Sequence, residues 1–62
     1  METRLLSPKA VCDRTSLSRS TLDRLVAART FPQPVRITDR RLAFNAASIE
    51  AWMQEQLERE AA

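Results

Sequence analysis

The sequence predicts a mainly α-helical fold with one small β-hairpin and three helices, and three observations carry that prediction. An apolar residue, then Ser or Asn, then a second apolar residue five positions after the first, recurs three times. Two prolines, Pro32 and Pro34, break the helical patterning in the middle of the chain. Two short runs of strand-favouring residues lie between those prolines and the third recurrence.

The recurrent pattern appears as Leu6, Ser7 and Val11, as Leu17, Ser18 and Leu22, and as Phe44, Asn45 and Ile49. In each, the polar side chain can accept from a free backbone N–H at a helix start while the apolar pair closes over it as a staple. The first helix is expected over Pro8 to Arg14, because proline at the first helical position gives up an N–H that has no partner there. Thr15 and Ser16 then turn the chain. The second helix is expected over Arg19 to about Ala28, with Leu22, Leu25 and Val26 as its apolar stripe and Ser20, Arg24 and Ala27 on its outer face.

Pro32 and Pro34 end helical structure and push Phe31 and Gln33 toward extended backbone. Val35 to Ile37 and Leu42 to Phe44 then suit two strands, and the polar stretch Thr38 to Arg41 suits the tip between them. With no glycine in the chain, the turn type at that tip is left open. The third helix should start after Asn45 and reach about Arg59, with Ile49, Trp52, Met53 and Leu57 on the face that closes the core. No repeat of solenoid length, low-complexity segment or linker is visible, so residues 1–62 read as one domain with a core at about 4–58. The first few and last few residues are the candidates for disorder.

Sixty-two residues make a small core and disfavour an elaborate catalytic cleft. A single cysteine, Cys12, and no histidine exclude an intramolecular disulfide and the usual zinc ligand sets, so no metal or cofactor is expected. Cys12 reads as a small core or boundary residue, since no base accompanies it. Residues 1 to 20 lack the apolar stretch of a signal peptide, and no run approaches a membrane span. A cytoplasmic, nucleoid-associated protein is expected.

The net charge of +2 conceals an asymmetry. Residues 1 to 44 carry nine Lys and Arg against four Asp and Glu, whereas residues 45 to 62 carry one against four. A basic surface for a polyanion, backed by an acidic helix turned away from it, accounts for this division. The second helix opens with Arg19, Ser20 and Thr21 and has no carboxylate before Asp23. A cation there opposes the positive end of the helix dipole, and a nearby phosphate would reverse the sign. Arg24, one turn on, could reach base edges or a second phosphate. The hairpin adds Arg36, Arg40 and Arg41 against Asp39 alone. Arginines on a projecting loop can grip phosphates or enter a minor groove, although charge can also shield a sheet edge from aggregation. Two basic elements flanking one connection favour a shared ligand, so the elements together read as a three-helix winged helix-turn-helix for double-stranded DNA.

The third helix ends with Glu55, Glu58 and Glu60, which would repel DNA and sit badly at the negative end of their own dipole. It is expected behind the reading surface, with Trp52 and Met53 in the core.

The chain resembles the AlpA-like prophage regulators, within the broader excisionase and MerR-type winged-helix group. The resemblance rests on Leu6 to Val11, on Leu17, Ser18, Arg19, Ser20, Thr21 and Leu22, on Phe31, Pro32, Gln33, Pro34 and Val35, and on Ser48 to Trp52. It covers roughly residues 4 to 57 and implies a MerR/excisionase-like fold whose second helix enters the major groove while the wing touches backbone or minor groove. It places Ser18, Arg19, Ser20, Thr21 and Arg24 on the recognition helix and Arg36, Arg40 and Arg41 on the wing. Members commonly have glycine in the turn before the second helix and again near its end or in the wing; here Ser16 holds the first place, and Ala28 to Thr30 must finish the helix without one. The long dimerising helix and effector domain of MerR-type activators are not expected from residues 1–62.

Two DNA-binding roles remain open on these residues: a small phage or prophage transcriptional regulator, and an excisionase-type architectural factor that bends DNA. The rival of a different class is a small protein-interaction module or antitoxin-like adaptor using the acidic third helix and apolar residues around Trp52. An enzyme is not expected, for want of a carboxylate pair or an activated nucleophile. A homodimer or cooperative assembly on DNA, and an integrase or the transcription machinery as partner, are left open; a membrane is not expected.

Overall fold

The structure, a computed structural model, describes residues 4–61. It comprises β1 (Leu5–Leu6), α1 (Pro8–Thr15), α2 (Arg19–Ala27), β2 (Val35–Thr38), β3 (Arg41–Asn45) and α3 (Ala46–Ala61). The fold is mainly helical with a small antiparallel sheet, as expected of a winged helix-turn-helix. The disorder expected at the first few and last few residues falls on residues 1–3 and 62 outside the described residues, whereas α3 continues to Ala61.

All three helix starts form as their side chains dictate. The Ala10 amide donates to Ser7 Oγ at 3.1 Å, and the Thr21 amide donates to Ser18 Oγ at 3.2 Å. Asn45 Oδ1 accepts from the amides of Ala47 at 2.8 Å and Ser48 at 3.3 Å. The staple pairs then become the core: Val11, Leu22, Phe44 and Ile49 are buried together with Phe31, and Leu6 and Leu17 pack against them. Phe31 meets Phe44 edge-on at 5.9 Å and lies 4.7 Å from the Trp52 ring, so the segment after α2 is pinned by aromatic contacts rather than by secondary structure. Arg14 and Glu50 form an exposed ion pair linking α1 to α3.

Without glycine, two other residues take the left-handed backbone. Ser16 ends α1 at φ 63°, and Arg29 lies just beyond α2 at φ 61°. At the second site the Arg29 amide donates to the Val26 carbonyl and the Thr30 amide to the Leu25 carbonyl, each at 3.1 Å, the bond pattern of a Schellman cap. Gln33 Nε2 adds donations to the carbonyls of Val26 at 3.1 Å and Phe31 at 2.9 Å, tying the proline-flanked loop to the helix end.

The sheet has the order β1-β3-β2. β1, not expected from the residue pattern, is two residues long and pairs Leu5 with Asn45 and Leu6 with Phe44. In the hairpin, Val35 pairs with Ala43, Arg36 with Leu42 and Thr38 with Arg41, so β2 carries one extra residue as a bulge. That bulge resolves the turn type left open by the sequence. The tip, Asp39 and Arg40, has no positive φ, and an unprimed turn of this kind splays its strands unless a bulge restores the twist. Register places Leu6, Phe44, Leu42 and Arg36 on one face, of which Leu6 and Phe44 reach the core, and Leu5, Ala43 and Val35 on the other.

One core assignment is corrected. Leu57 is 65% exposed, while Ile49 is fully buried and Trp52 and Met53 are half-buried against the core. The helical spacing of the four residues is real, but α3 runs past the end of the small core, and Leu57 only borders an open cleft beside Arg14 and Thr15 at the end of α1.

Candidate nucleic-acid interface

The exposed side of α2 carries Ser20, Arg24 and Ala27, with Leu22 buried beneath them and Leu25 and Val26 half-buried. Ser20 and Arg24 are four residues apart and so project side by side from one face. Ser18 and Thr21 behave differently. The Ser18 hydroxyl caps the helix and donates to Thr21 Oγ1 at 2.9 Å, so the Ser18 hydroxyl is used as both acceptor and donor in starting the helix, while Thr21 Oγ1 serves there as an acceptor. Thr21 is also half-buried, whereas Ser18 is exposed.

Arg19 sits at the shoulder of α2 that faces the wing. Its Nε donates to Asp23 Oδ1 at 3.1 Å, an exposed ion pair one turn apart. Beyond it lies a cleft of about 330 Å³ lined by Arg19, Arg40 and Arg41 with Ser7, Pro8 and Leu42. Three arginines, one from the first turn of α2 and two from the end of the hairpin, therefore line one space. Arg36 is exposed on β2 and shares the α2-facing side of the hairpin with Leu42, away from the tip. Leu42 and Phe44 meet Leu22 and Val26 across an apolar groove of about 160 Å³, which sets the distance between helix and wing.

The structure thus gathers Arg19, Arg40 and Arg41 and places Ser20 and Arg24 on the adjoining helix face; Arg24 does not line the cleft. The sequence reading missed Asp23, Ser7 and Pro8 as neighbours of this site. The Arg19 to Asp23 spacing was a usable signal, since residues four apart on a helix touch. Ser7 and Pro8 give none, because their approach to the wing depends on tertiary packing. The acidic helix contributes nothing to the cleft. Ser48, Ala51, Trp52 and Glu55 border a separate cleft beside Arg29 and Thr30, and Met53, Gln56 and Leu57 border another beside Arg14. Among the described residues there is no cluster of potential metal ligands, and no helix is long and apolar enough to cross a membrane.

The family model of the prophage CP4-57 regulatory protein (AlpA) matches residues 4–57. The chain belongs to the AlpA family. Its two best-formed features, the capped α1-turn-α2 unit and the basic hairpin, both fall within the matched stretch. AlpA membership supports a small phage-type regulator with DNA binding, and the family is a regulatory one rather than a family of enzymes. Neither the curated proteins nor the solved structures contain a match to the chain.

Proposed function

We propose that this AlpA-family chain binds double-stranded DNA sequence-specifically as a phage or prophage transcriptional regulator, without catalysis or a cofactor. Residues 1–62 act as a single domain in this reading. The supporting observation is the convergence of Arg19, Arg40 and Arg41 on one cleft beside the exposed Ser20 and Arg24. With its side chains an α-helix such as α2 is about 10 to 12 Å in diameter, which a major groove about 12 Å wide admits. In this pose Arg24 and Ser20 face base edges, and the wing arginines take the flanking phosphates. Ser18 and Thr21 contribute by fixing the helix start, and Arg36 adds charge to the wing rather than a contact at its tip.

Selection of bound sequences from a random duplex pool, at low and near-physiological salt, tests the reading. A recovered consensus supports sequence-specific recognition, and its half-site spacing reports the stoichiometry on DNA. Salt-sensitive binding without a consensus moves the function to an excisionase-type architectural role. Absence of binding at either salt would move it to a protein-interaction module.

A further inference from the structure

Asp23 is out of place on the wing-facing shoulder of α2. A carboxylate there repels phosphates, and its value to the fold is small: the pair with Arg19 is exposed on both sides, and Arg preceding the acid by four is the weaker orientation on a helix. The bond it makes is specific, however. Asp23 takes only the Nε–H of Arg19, leaving both terminal amino groups of the guanidinium free of side-chain partners among the described residues. A planar group held at one edge has its other edge aimed, and here Arg19 lines the cleft that Arg40 and Arg41 also line. Neither Arg40 nor Arg41 is ion-paired among the described residues, and of the three cations lining the cleft Arg19 alone has a carboxylate in contact, at its Nε. Such a cluster is relieved by an anion seated among the three.

We propose that Asp23 is a positioning residue for DNA binding, holding Arg19 so that Arg19, Arg40 and Arg41 close on a single backbone phosphate. The inference rests on the DNA-binding reading above and adds a sign to it. Removing Asp23 raises the net charge from +2 to +3, and charge alone then strengthens binding to DNA. Positioning predicts the opposite, because an unrestrained arginine must be ordered at the moment of binding.

The test is a double-mutant cycle on Asp23→Ala and Arg19→Gln, with Asp23→Asn measured beside them and thermal melts confirming that each variant folds. Affinity is measured on a mixed-sequence duplex of about 20 base pairs between about 50 and 200 mM salt. Asp23→Ala should weaken binding about two- to tenfold and flatten the salt slope by about one unit. Asp23→Asn, which can still accept from Nε without a charge, should fall between it and the wild type. In the Arg19→Gln background, Asp23→Ala should instead tighten binding slightly. Tighter or unchanged binding by Asp23→Ala in the wild-type background, or equal weakening in both backgrounds, overturns the proposal while leaving DNA binding intact. A wild-type chain that binds no duplex overturns the DNA reading and this inference with it.

Discussion

Replacing Arg29 by glycine should stabilise the protein, an unusual expectation for a change that deletes a long side chain. Arg29 sits at φ 61° immediately after the last turn of α2, where its backbone completes the cap with Val26 and Leu25. For a residue with a Cβ the left-handed conformation costs about 1 to 2 kcal/mol, which glycine avoids. Glycine loses more backbone entropy on folding, about 0.5 to 1 kcal/mol, so the net gain is roughly 0.5 to 1 kcal/mol. In a domain of this size that raises Tm by about 4 to 8 °C. Arg29→Ala is the control, since alanine removes the same side chain but keeps the backbone cost. The assay is thermal and urea denaturation followed by circular dichroism, with all three proteins at one concentration. Arg29→Gly melting at or below Arg29→Ala would refute the argument, for it would show that the turn after α2 is not held at positive φ in solution.

Three further outcomes follow from the placement of side chains. Arg24→Ala should change base preference in a selection experiment or lose about 1 to 3 kcal/mol on the selected site. Arg41→Gln should instead weaken binding to all duplexes alike and reduce the salt slope by about one unit, which a titration across salt concentrations on cognate and scrambled duplexes distinguishes. Ile49→Ala removes a fully buried side chain and should cost about 2 to 5 kcal/mol, whereas Leu57→Ala, at a position 65% exposed, should stay within about 0.5 kcal/mol in the same denaturant titration.

The parts of the fold legible in the sequence are those decided within one helical turn. Ser7, Ser18 and Asn45 each announce a start because a cap acts over two or three residues, and the apolar partners of the three caps identify most of the core. What failed had longer range. β1 exists only because Leu5 and Leu6 lie beside β3, some forty residues away in sequence, and two residues leave no alternation to detect. Leu57 has the right spacing but too little core to reach. The arginines of the site were visible as charge, yet their sorting was not: that Arg40 and Arg41 line one cleft with Arg19 while Arg24 does not is a product of how the hairpin folds over α2.

Ser18 separates the structural from the recognition role most sharply. Its hydroxyl accepts from the Thr21 amide and donates to Thr21 Oγ1, and it immediately precedes Arg19, so a change here could act on stability, on DNA or on both. Ser18→Ala should cost about 1 kcal/mol in denaturant unfolding, the usual loss of a serine cap. Ser18→Asp should restore that stability, because aspartate caps as well as serine and is favoured at the positive end of the helix. If Ser18 only caps, Ser18→Ala binds duplex DNA like the wild type once both are measured well below their melting temperatures, while Ser18→Asp binds more weakly through the charge it brings beside Arg19. Weak binding by a fully folded Ser18→Ala would mean that the hydroxyl itself meets the phosphate, and the cap would then be exchanged for that contact when DNA is engaged. The two variants move stability and affinity in different directions, which no general loss of folding can imitate.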